Sequence, residues 1–167
     1  EAMRRALDGS APGNAGFLRA DALLAVIFVT DEDDCSAADP YLYSQGATQY
    51  GQFSSYRCFA HGVRCDQPDT STPGPRTGCE PATDGPLHPV DNYLAFLETQ
   101  KGGRGRVVVG GLVPPASPVQ VRIEASTGLT LLEPLCASID PELGLQTWPS
   151  PRMHALADAF ASTARSE

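Results

Sequence analysis

Apolar residues run without a break from Leu23 to Val29 and stop at four acids, Asp31, Glu32, Asp33 and Asp34. The run is rich in β-branched Val26, Ile27 and Val29 and shows none of the alternation of a strand with one wet face. It predicts a strand over 23–30 covered on both faces, hence central and parallel. RVVVGGLV, Arg106 to Val113, predicts a second strand of the same kind, ended by Pro114-Pro115. Between them PVDNYLAFLETQK sets Val90, Tyr93, Leu94 and Leu97 at helical spacing, with Pro89 at the start and Gly102-Gly103 as the stop. EAMRRALD reads as the tail of a helix that ends at GSAPGNAG. VQVRIE (119–124) alternates like a half-exposed strand. PRMHALADAFAST (151–163) puts Met153, Leu156, Ala157 and Phe160 on one helical face, while 129–139, around Cys136, shows no clear period. Gly102–Gly105 read as a helix cap, and Gly110-Gly111 as closely packed strand backbone.

This order of elements fits an α/β layered fold with right-handed crossovers. Residues 35–89 carry no sustained helical or strand period, yet hold Cys35, Cys58, Cys65 and Cys79. Crosslinks supply what such a stretch lacks in core, since closing a loop of about 15 residues is worth about 3 kcal/mol through the unfolded chain. The segment therefore reads as a cysteine-rich, disulfide-stapled insertion in one domain spanning 1–167.

Composition narrows the function. Hydrophobic residues at 41% and charged residues at 19% are those of a globular protein, and Gly 16 with Pro 15 calls for long loops. A net charge of −8 with no Lys/Arg patch excludes nonspecific binding to nucleic acid or to an anionic membrane. The longest apolar run falls far short of the ~20 residues that span a bilayer. Five cysteines among Gly, Pro, Ser and Thr point to disulfides in an oxidising compartment, and so to a secreted or cell-envelope protein. Zinc is the competing use, through Cys58-x6-Cys65 with His61 and His88, but no short C-x2-4-C spacing occurs. Spacing does not determine the pairing. The working assignment is Cys35–Cys58 and Cys65–Cys79, which leaves Cys136 for a partner outside the chain. The start at Glu1 reads as a cut, with any signal peptide or lipoprotein anchor upstream.

The acids follow the end of a buried-type strand, where ligands gather in open α/β sheets. Asp31, with Asp33 and Asp34, offers hard oxygen ligands suited to Mg²⁺ or Ca²⁺. The spacing is not that of an EF-hand, which needs a turn Gly at position six and Glu at position twelve. An apolar strand ending in D-x-D also resembles the first motif of haloacid-dehalogenase-type phosphatases, with Asp31 as nucleophile and Asp33 moving the proton. That family needs a later Lys and a further acidic pair, and Lys101 is the single lysine here. His61, His88 and His154 are scattered, no G-x-S-x-G turn exists, and Trp148 between polar residues and prolines reads as a packed rim residue.

FLRADALLAVIFVTDEDDCS resembles the fourth strand of a von Willebrand factor A domain, which ends in the Thr-Asp of that family's metal-ion-dependent adhesion site. NAGFLRADA, DEDDCS, Tyr56-Arg57-Cys58 and the His-Pro before the next helix are similar to a cysteine-rich secreted bacterial branch of the family. The resemblance implies a Rossmann-like doubly wound, mostly parallel sheet. It also implies that Asp31 contacts Mg²⁺ or Ca²⁺ and that a carboxylate of a protein partner completes the coordination. This is a binding role in which no bond is made or broken. The family's D-x-S-x-S motif is absent, so the chain corresponds to the carboxyl-terminal half of such a domain, with weak metal binding by this part alone. A structural envelope domain, whose acids only solubilise it, is the alternative.

Overall fold

The computed structural model describes residues 1–137, 142 and 144–161. In chain order these form α1 (Ala2–Leu7), β1 (Leu24–Val29), α2 (Tyr56–Gly62), β2 (Val63–Arg64), β3 (Gly74–Arg76), β4 (Glu80–Pro81), α3 (Val90–Lys101), β5 (Val107–Leu112), β6 (Val119–Ile123), β7 (Thr130–Leu132), β8 (Cys136–Ala137), β9 (Gln146–Thr147) and α4 (Pro151–Ala161). The two apolar runs pair in parallel, from Leu24 opposite Val107 to Val29 opposite Leu112, with α3 in the crossover. A parallel pair needs such a long connection, and the Val90/Tyr93/Leu97 stripe gives α3 the apolar face that packs it back on the strands. Leu97 is fully buried, and α4 adds Leu156 and Phe160 to the same core as Leu24 and Val107.

Two glycines enable this packing. Gly102 takes the left-handed conformation that ends α3 at φ +70°, while Gly103 N–H bonds back to the Glu98 carbonyl at 2.9 Å. A Cβ at Gly111 would lie 2.7 Å from the Phe28 carbonyl oxygen, so β1 and β5 approach closely only because that position has no side chain.

The sheet corrects two expectations. It is not a large doubly wound sheet: β1 and β5 form a two-stranded sheet, and the other strands form small antiparallel ones, β2–β4, β3–β6–β7 and β8–β9. The molecule is mixed α/β with four helices among the described residues. Nor is β1 covered on both faces. Its burial alternates, with Leu24, Val26 and Phe28 toward the helices, while Ile27 and Val29 are 73% and 74% exposed and Leu112 on β5 is 74% exposed. An unbroken apolar run records side-chain character only, and here α1, α3 and α4 all pack on one side.

Residues 35–89 are likewise more ordered than a stapled loop. Disulfides join Cys35 to Cys58 and Cys65 to Cys79, and Cys136 is an exposed free thiol. The segment builds α2 and three short strands, and Tyr56, Phe59 and Val63 share a second core with Val119 and Val121 of β6. Alternation in VQVRIE makes this possible by turning Val119 and Val121 inward. Arg57, nearly fully buried, donates to the carbonyls of Leu42, Ser44, Ala47, Gly51 and Gln52, so one guanidinium organises a loop that has few apolar residues. In the 129–139 stretch β7 and β8 are strands, and 138–139 lie outside the described residues, as do positions 162–163 of the helix expected over 151–163.

Candidate functional site

Beyond β1 the chain stays on the sheet for one more residue, with Thr30 N–H donating to the Leu112 carbonyl at 3.1 Å. It then turns. Thr30 Oγ1 accepts the Glu32 N–H and donates to the Glu32 carbonyl, both at 3.1 Å. That turn sends the four acids to different places. Asp31 is exposed; its backbone carbonyl accepts the Trp148 N–H at 3.1 Å, and its carboxylate makes no hydrogen bond or ion pair among the described residues. The Glu32 side chain is also exposed and likewise without such a partner.

Asp33 points inward and closes the amino end of α4. Its two carboxylate oxygens accept the Arg152 N–H at 3.2 Å and the Met153 N–H at 3.0 Å. Those donors have no partner inside the helix, so an acid from a distant segment serves as the cap. Burial raises the Asp33 carboxyl to about 6, against the downward pull of the two N–H groups and of the Arg152 charge.

Asp34 meets the Arg152 guanidinium itself. Its Oδ2 lies 2.9 Å from Nη2 and 3.3 Å from Nε, and its Oδ1 accepts from Ser36 Oγ. Arg152 is 1% exposed and also donates to the carbonyls of Gly62 at 3.1 Å and His88 at 2.7 Å. One side chain of α4 therefore ties together the acidic loop, the end of α2 and the residue pair before α3.

These positions bear on the expected cation site. A hard divalent ion needs several converging oxygens. Asp33 presents both of its oxygens to α4 and Asp34 faces a guanidinium, which leaves Asp31 and Glu32 toward solvent. Among the described residues no group of three His, Cys, Asp or Glu side chains is arranged to hold a metal. Among the described residues the acidic run by itself does not form a closed Mg²⁺ or Ca²⁺ site. The same geometry opposes a proton-moving role for Asp33, and the zinc alternative loses Cys58 and Cys65 to separate disulfides. The three histidines lie apart: His61 Nε2 is 3.3 Å from the Tyr50 carbonyl, His88 meets the Tyr93 ring edge-on, and His154 Nε2 is 2.9 Å from the Pro114 carbonyl.

What the loop does border is a cleft of about 210 Å³. Tyr56 and Phe59 of α2, Leu131 and Leu132 of β7, Trp148 and Pro149 form its apolar walls; Glu32 and the Cys35–Cys58 disulfide close the side next to β1. Among the described residues Arg122 is the one cation in the lining, and it is already held by Glu124 at 2.7 Å and Glu133 at 3.6 Å. Burial pushes the Tyr56 phenol up to about 12, so it stays neutral, with its hydroxyl donating to the Thr70 carbonyl. No family model, no curated protein and no solved structure matches the chain. The walls come from three segments far apart in sequence, which is why pattern reading placed only the loop and Trp148 at a rim. The available signal was the pair Tyr56 and Phe59, three apart in YRCFAHG, an apolar face inside a polar stretch.

Proposed function

We propose that the chain is a binding domain of a secreted or cell-envelope protein, and that part of a protein partner enters the cleft beyond the carboxyl end of β1. The observation that carries this reading is a preformed cavity walled by Tyr56, Phe59, Leu132 and Trp148 at the end of the sheet where open α/β folds take their ligands. Two disulfides support an oxidising compartment, and no helix among the described residues is long and apolar enough to cross a membrane. No chemical step is part of the proposal.

The resemblance to von Willebrand factor A domains supports the same end of the sheet as the contact face. In that form of the proposal β1 and β5 are neighbouring parallel strands of the domain, and α3 and α4 are the helices on one face of them. A divalent ion in the adhesion manner would have Asp31 as its one carboxylate from the acidic run. The alternative is a structural envelope domain in which Asp31 and Glu32 only solubilise.

Titration with N-acetylphenylalanine amide, followed by NMR, separates binding from scaffold. Binding shifts the methyl signals of Leu131 and Leu132 and the Trp148 indole signal, saturably and together. Spectra unchanged at tens of millimolar probe would leave the structural reading.

A further inference from the structure

Resting on the cleft reading, we infer that the occupant is a single aromatic side chain carried on a basic peptide segment. Volume sets the first half. An apolar cavity of about 150 Å³ holds one benzene ring, whereas drug-sized ligands occupy roughly 300–1,000 Å³. At about 210 Å³ the cleft has room for one ring with its methylene. Its walls suit a ring: Tyr56 and Phe59 pack 5.7 Å apart in a tilted pair, and Trp148 lines the same space.

Charge sets the second half. Glu32 lines the cleft and Asp31 precedes it, both exposed and both without a cationic partner among the described residues. Arg122, the single cation in the lining among the described residues, is neutralised by Glu124 and Glu133 and does not offset them. The whole chain carries −8. A segment bearing Lys or Arg beside its aromatic residue gains these carboxylates, and an acidic segment is repelled.

Trp148 is the sole tryptophan of the chain, so its emission reports occupancy directly. The probes are acetyl-Arg-Phe-Arg-amide, acetyl-Glu-Phe-Glu-amide and acetyl-Arg-Ala-Arg-amide at low salt. The expected result is a saturable emission change with the basic Phe peptide, at least about threefold tighter than with the acidic one, the size that one or two exposed ion pairs produce. That preference shrinks toward unity in 1 M NaCl and in Glu32→Gln, an exposed position that leaves the fold intact. Equal binding of both Phe peptides would overturn the basic assignment while the cleft stands. Equal binding of the Ala peptide would remove the aromatic seat, and no response to any of the three would remove the cleft reading as well.

Discussion

Asp34 and Arg152, 118 positions apart in the chain, meet as an ion pair at 2.9 Å, with the arginine 1% exposed. An arginine is stable at that depth only with its charge matched and its donors filled, and Asp34 with the carbonyls of Gly62 and His88 does both. Asp34→Ala leaves the guanidinium uncompensated. Urea denaturation should show a loss of about 3 kcal/mol, against less than about 0.5 kcal/mol for the neighbouring exposed Asp31→Ala. Equal costs for the two would mean that the loop does not divide its acids as described.

Asp33 gives the fold a pH dependence of definite sign. Its carboxyl is raised to about 6 in the folded state, above its value of roughly 3.9 in an unfolded chain. Between those values the folded state binds more protons, so this residue's contribution is greatest below the unfolded value and is lost as pH rises through about 6. Wild type should gain stability from pH 7 to pH 5 relative to Asp33→Asn. Parallel pH profiles of the two proteins by denaturant titration would refute it.

Because Asp33 and Asp34 are engaged within the fold, Mg²⁺ or Ca²⁺ should bind no tighter than roughly millimolar, and Asp31→Ala should abolish what binding there is. Isothermal titration checks both. Micromolar affinity that survives Asp31→Ala would point to ligands elsewhere in the chain.

Cysteine chemistry follows from the pairing. Under denaturing conditions without reductant, iodoacetamide should label Cys136 alone, and after reduction all five cysteines, read by intact mass. Replacing Cys65 and Cys79 together by Ser should cost about 3 kcal/mol, the loop-closure value for a separation of 14 residues.

The uncovered strand face has its own consequence. Ile27 and Val29 are mostly exposed, so Ile27→Thr and Val29→Thr should change unfolding free energy by less than about 0.5 kcal/mol while lowering binding of a hydrophobic dye. A loss of several kcal/mol from either would show that this face is buried in solution.

Periodicity and punctuation determined the elements. LAVIFV and VVVGGL are strands, VDNYLAFLETQK and PRMHALADAFA are helices, and Gly102 stops α3, because backbone preference and the spacing of apolar residues act locally. Tertiary structure alone decided what each face meets. The same β-branched run serves a strand wet on one side or buried on two, and the difference lies in which helices arrive. The acids show this most clearly. TDEDD is one cluster in sequence, yet the turn at Thr30 and the approach of α4 send Asp33 to a helix end, Asp34 to Arg152, and Asp31 and Glu32 to water. A carboxylate's role is set by the donors that reach it, and for Asp33 and Asp34 the ones supplied by Arg152 and Met153 come from more than a hundred positions away.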